Sequence, residues 1–232
     1  QTSTLPPAPP TIKGLQIDAL IRMANEVGGD HYDFFPMPDG RLGVLVADVS
    51  GKNVPAALLT MVLKTALNSL PVKTLSPGVL LREVNRVLLH MISETNFITA
   101  AYAVIDPANG TIRYANAGQN PPLFRRAGPD QPKIQLVEMP SFPLGIIECE
   151  FREEVFTANP GDILLMYSDG VIDCKNEAGN RFEEGNLRKA LLEITVPHPA
   201  RGILKMLDDF RGNCEVEDDI TIVAISFQNR IS

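Results

Sequence analysis

The chain has 232 residues, 44% of them hydrophobic and 21% charged, enough to bury a core within the size of one domain. Its 28 acidic and 21 basic side chains leave a formal charge of −7, which argues against nucleic acid as the main partner, since phosphate backbones require clustered Lys and Arg. Three scattered cysteines, Cys149, Cys174 and Cys214, supply neither a close zinc pair nor an even disulfide framework. No apolar run reaches membrane-span length, and a reducing cytoplasm is the simplest setting.

Gln1 to Pro10 is polar and Pro-rich. It reads as the end of a linker (residues 1–11) before a domain over 12–228 and a short tail at 229–232. Leu15 to Met23 alternates loosely and predicts a first strand. Tyr32 to Phe35 and Leu42 to Val49 predict a hairpin turning on Pro38-Asp39-Gly40, and the second run is apolar enough for a central strand. Pro55 to Leu70 changes to helical spacing, with Leu58, Leu59, Val62, Leu63, Ala66 and Leu70 forming a broad apolar face. Ser76-Pro77 marks the N-cap and first residue of a second helix running to Glu94, expected to pack antiparallel to the first. Strands then follow at Phe97–Asp106, Thr111–Ala115, Pro122–Arg126, Ile134–Leu136, Phe151–Thr157 and Ile163–Tyr167. Helices over Glu184–Glu193 and Pro199–Phe210 and a strand over Thr221–Phe227 close the chain. Consecutive strands without intervening helices exclude a doubly wound parallel fold. The pattern predicts an α+β architecture of two mostly antiparallel sheets, face to face, with helices outside.

Several aspartates sit where these strands end. Asp48 follows the central strand, Asp169 follows the run Ile163 to Ser168, Asp30 follows Gly28-Gly29, and Asp218 precedes the last strand beside Asp219. Carboxylates converging from strand ends suit a hard divalent cation. An Asp at a strand end is also an ordinary turn residue, so residue types and spacing alone leave both readings open.

An ordered set of segments decides further: Glu26-Val27-Gly28-Gly29-Asp30-His31-Tyr32-Asp33-Phe34, Asp48-Val49-Ser50-Gly51-Lys52, Pro55-Ala56-Ala57, Ala117-Gly118-Gln119-Asn120-Pro121-Pro122, Pro160-Gly161-Asp162, Tyr167-Ser168-Asp169-Gly170-Val171 and Asp218-Asp219-Ile220-Thr221. Together they resemble the bacterial sporulation- and stress-response branch of the PP2C-like metal-dependent protein phosphatases, over about residues 12 to 228. The resemblance implies an α-β-β-α sandwich and a centre for two ions, Mn²⁺ or Mg²⁺. It implies that Asp48 bridges the ions, that Asp30 serves one of them, that Asp169 and Asp218 ligate opposite, and that Val49 offers its backbone carbonyl. Asp219 is the alternative to Asp218.

The reaction implied is direct hydrolysis of phosphoserine or phosphothreonine by a metal-activated water, in line with the absence of a Cys-x5-Arg arrangement around any cysteine. The branch further implies a phosphorylated anti-anti-sigma factor as substrate, regulation by an N-terminal sensor module acting through the first two helices, and allows a homodimer. A catalytically silent signalling module and a small-molecule phosphoester hydrolase are the competing readings.

Three positions depart from the pattern. Ser50 stands where eukaryotic relatives carry His, Asn53 where Gly is usual, and Gln119 where His is common. Arg22 fits poorly as a phosphate-binding Arg. Asp33 reads as an orienting acid, His31 as structural, and Lys52 as either a phosphate attractor or a solvated lysine.

Overall fold

The computed structural model describes residues 5–51, 53–93, 95–128, 131–194 and 197–228. Lys52, the predicted end of the second helix at Glu94, the first four residues of the expected linker and the tail at 229–232 lie outside the described residues.

Ten strands are described: β1 Leu15–Arg22, β2 His31–Pro36, β3 Leu42–Val49, β4 Ile98–Asp106, β5 Thr111–Ala117, β6 Leu123–Arg126, β7 Lys133–Leu136, β8 Glu154–Thr157, β9 Ile163–Tyr167 and β10 Ile220–Phe227. They form two five-stranded sheets, ordered β1-β10-β9-β6-β7 and β2-β3-β4-β5-β8, and every neighbouring pair runs antiparallel. The helices are α1 Asn53–Ser69, α2 Pro77–Leu89, α3 Asp169–Asp173, α4 Glu183–Glu193 and α5 Pro199–Arg211.

Strand alternation creates the layers. In β3, Leu42, Val44 and Val46 face the other sheet, meeting Leu164, Met166, Val223 and Ile225 in the inner core. Leu45, Ala47 and Val49 point the opposite way, onto α1 and α2 through Leu63, Leu67, Leu80 and Val84. On the far side, Leu165, Tyr167, Ile222 and Ala224 pack beneath Leu187, Leu191, Ile203 and Leu207 of α4 and α5. The result is the expected α-β-β-α sandwich.

The β2–β3 hairpin turns as predicted: Met37 N–H donates to Arg41 O at 2.8 Å, and Gly40 takes φ 86°. Asn53 adopts φ 60° at the start of α1, a left-handed conformation that Asn tolerates better than most residues.

Four local expectations need correction. Leu58, expected on the apolar face of α1, is 62% exposed. α2 ends at Leu89, short of Met91 and Ile92. β8 begins at Glu154 rather than Phe151. Ser76 precedes α2 but makes no side-chain bond to its backbone. Glu153 caps the helix instead: its Oε1 accepts the Gly78 N–H at 2.9 Å and the Ser76 hydroxyl. Burial alone would raise the Glu153 carboxyl, but Ser76, the Gly78 N–H and Arg113 outweigh it and hold it low.

Candidate functional site

The strand ends named by the sequence meet at one end of the sandwich. β2 starts and β3 finishes there in one sheet, while β9 finishes and β10 starts there in the other. Asp48 occupies the next-to-last position of β3, Asp169 opens α3 directly after β9, and Asp218 and Asp219 immediately precede β10.

Tight backbone approach assembles these pieces. A Cβ on Gly29 would lie 2.7 Å from Val49 O and 3.3 Å from Asp48 Oδ1, so only glycine lets the turn reach the end of β3. Val49 N–H in turn donates to Gly29 O at 3.3 Å. From α1, the Thr60 hydroxyl also donates to Gly29 O at 3.2 Å, which seats that helix against the turn carrying Asp30.

Asp48, Val49, Asp169 and Asp218 line an open cleft of about 460 Å³. Asp48 and Asp218 also border a neighbouring hollow of about 10 Å³, closed by Gly28, Gly29 and Asp219. Asp30 borders neither space; it is 2% exposed, with its Oδ2 accepting the Thr221 hydroxyl at 2.6 Å. Burial pushes the Asp30 carboxyl well above the usual range, helped by Asp48 and opposed by the nearby Ser168 hydroxyl and the hydrogen bond from Thr221. Burial likewise raises Asp48 to about 7, reinforced by the charges of Asp169, Asp218 and Asp219 and moderated by a hydrogen bond with Asp30. Such a cluster stores repulsion that a cation would relieve.

Among the described residues, no three carboxylate, imidazole or thiolate side chains form a ready cage around one point. The donors present are carboxylate and carbonyl oxygens, a set that fits a hard divalent cation better than a soft metal.

The residues flanking the acids have structural partners. Ser50 Oγ accepts the Phe97 N–H at 2.8 Å, tying β3 to the approach of β4. Arg22, a poor match for a phosphate-binding Arg in the sequence, is paired with Asp208 of α5, with one bond at 2.9 Å. Asp33 pairs with Lys64 of α1, while His31 Nε2 stands 3.8 Å away, beyond hydrogen-bond length. Burial alone would raise the Asp33 carboxyl, and the His31 and Lys64 neighbours outweigh it. Gln119 closes a turn: its N–H donates to Asn116 Oδ1 at 2.8 Å and its Oε1 accepts the Asn120 N–H at 2.9 Å.

Sequence reasoning missed Thr99 and Asn120 as cleft-lining residues and the buried hydroxyls of Ser168 and Thr221. Both hydroxyls lie inside the recognised segments, yet nothing in residue type alone distinguishes a buried bridging Ser or Thr from a turn residue.

Comparison with known proteins decides the family. The profile described as Stage II sporulation protein E (SpoIIE) matches residues 38–228. The chain belongs to this family. Phosphoserine phosphatase RsbU of Bacillus subtilis (strain 168) is 30% identical over 224 residues, covering 93% of this chain and 64% of RsbU. The chain thus spans just under two thirds of that relative's length. Among solved structures, the RsbU and RsbW domains of Rv1364c from Mycobacterium tuberculosis superpose with a TM-score of 0.82 at 26% identity, covering 94% of this chain and 61% of that one. The SiaA-PP2C domain of Pseudomonas aeruginosa gives a TM-score of 0.81 at 23% identity, over 91% and 86% of the two chains. The sandwich is a PP2C fold.

Proposed function

We propose that this SpoIIE-family chain is a metal-dependent protein phosphatase that hydrolyses phosphoserine or phosphothreonine at the cleft beside Asp48. The observation that carries the reading is the position of Asp48 and Asp218. Both border the open cleft and the small hollow, so one carboxylate can serve two adjacent cation sites. The hollow's 10 Å³ is close to what a single water-sized occupant needs.

In this reading Asp48 would be shared by the two ions, Asp169 and Asp218 would ligate from the second sheet's end, Val49 would offer its carbonyl, and Asp30 would serve one ion. Two divalent cations, Mn²⁺ or Mg²⁺, supply Lewis acidity, lowering the pKa of water and neutralising phosphoryl charge. The chain's own part is to fix the acids before substrate arrives. Thr99 Oγ1 donates to the Asp48 carbonyl at 3.3 Å, and Ser50 secures the next turn, so the β3 end is held from β4. The open cleft admits a phosphorylated side chain carried on a protein surface.

The resemblance to the sporulation- and stress-response branch points to a phosphorylated anti-anti-sigma-type protein as substrate, and to an N-terminal regulatory module as the source of control. The contact from Thr60 of α1 to the Gly29 turn offers a route by which such a module would bias the Asp30 side of the site. The test is calorimetric titration with Mn²⁺ and Mg²⁺, paired with phosphate release from a phosphoserine protein and from a chromogenic aryl phosphate. Metal uptake, faster turnover of the phosphoprotein, and loss of both activities in chelator are expected. Uptake without hydrolysis would indicate a silent signalling module, and a preference for the small ester would move the substrate class.

A further inference from the structure

The two adjacent acids before β10 share the small hollow, but only Asp218 also lines the open cleft. Asp219 is 6% exposed and Thr221 is fully buried, whereas Asp218 lines the open cleft.

Asp219 and Thr221 both reach across to Asp30, which leads β2 in the opposite sheet. Asp219 Oδ2 accepts the Asp30 N–H at 3.3 Å, and its Oδ1 accepts the Ala24 N–H at 2.8 Å. The Thr221 hydroxyl donates to Asp30 Oδ2 at 2.6 Å, within the short range of hydrogen bonds to a carboxylate. One residue therefore grips the backbone of Asp30 and the other its side chain. Ser168 braces this pair from the end of β9: its Oγ accepts the Thr221 N–H at 2.9 Å and donates to Asp219 O at 3.3 Å. The space is filled closely, since a Cβ on Gly28 would fall 1.7 Å from Asp219 Oδ2.

We propose that Asp219 and Thr221 are positioning residues for the metal centre, holding Asp30 in place behind the acids that line the cleft. The inference rests on the two-cation reading above. Asp219 spends both carboxylate oxygens on backbone N–H groups, which makes it a clamp between the β1–β2 connection and the β10 entrance. Thr221 fixes the rotation of the Asp30 carboxylate. Partners of this kind, one bond removed from a ligand, typically carry about 10–100-fold in metal affinity.

The test uses T221V, T221S, D219N and D218N, measuring Mn²⁺ affinity by calorimetry and folding by thermal melting in chelator. T221V, nearly isosteric, is expected to bind Mn²⁺ about 10–100-fold more weakly, and its loss of activity should shrink as Mn²⁺ is raised. T221S, which keeps the hydroxyl, should bind like the wild type. D219N should weaken Mn²⁺ binding without removing an ion, whereas D218N should reduce the number of ions bound. The proposal is overturned if T221V binds like the wild type, if T221S is as defective as T221V, or if D219N loses an ion that D218N keeps. Should T221V fail to fold, the D218N and D219N comparison decides alone. A wild type that takes up no Mn²⁺ would instead overturn the two-cation reading itself.

Discussion

Replacing Asp48 by Asn should stabilise the metal-free protein at alkaline pH even as it removes activity. Burial and the neighbouring acids raise the Asp48 carboxyl to about 7, against about 3.9 in an unfolded chain. The folded state therefore keeps a proton that the unfolded state has released between those values. Stability falls as pH rises from about 4 to about 7, and the whole penalty is present above about 7. About 3 pKa units at 1.36 kcal/mol each amount to about 4 kcal/mol. Loss of the hydrogen bond shared with Asp30 takes back about 1 kcal/mol at either pH, leaving D48N a gain of about 3 kcal/mol at pH 8 and a loss of up to about 1 kcal/mol at pH 4. Urea denaturation of both proteins in chelator, at the two pH values, measures this. Saturating Mn²⁺ should reverse the order, because a bound cation stabilises only the chain that holds it. An equal gain at both pH values, or a D48N protein less stable than the wild type at pH 8, would refute the charge-repulsion argument.

Other features carry their own tests. E153Q should cost about 1–2 kcal/mol at pH 7, because it discharges the carboxylate capping α2 at Gly78. The Glu153 carboxyl is held low, so its contribution is present above the unfolded value of about 4.3 and is lost as pH falls through the lower folded one. Denaturation of E153Q and the wild type should therefore converge in acid. At Asn53, where φ is 60°, N53G should change stability by less than about 0.5 kcal/mol, and N53V should cost about 1–2 kcal/mol by thermal melting.

Much of this arrangement was legible because the strands alternate. The apolar runs ending at Asp48 and Asp169 announced central strands whose ends carry acids, and both lie at one end of the sandwich. The hairpin at Asp39-Gly40 was equally local: a turn of a few residues writes its own chemistry. The α2 cap was not legible, because the carboxylate that satisfies Gly78 comes from Glu153, 75 residues further along the chain. Short α3 was missed because Asp169-Gly170 carries a turn signal and five residues are too few to show a helical period. That only Asp218 of the adjacent pair also lines the open cleft was hidden too. Adjacent carboxylates look alike in a sequence, and only the folded chain shows which of them meets the Ala24 and Asp30 N–H groups. Arg22 was set by a distant partner too, since Asp208 approaches it from α5.

The central claim is that hydrolysis takes place at the aspartate end of the sandwich and depends on cations held there. Phosphate release from a phosphoserine protein at saturating Mn²⁺, by the wild type, D48N and D169N, addresses it most directly. The account predicts Mn²⁺-dependent release by the wild type and a loss of at least about 100-fold in each variant. Unchanged release by both variants, or full activity of the wild type in chelator, would contradict it.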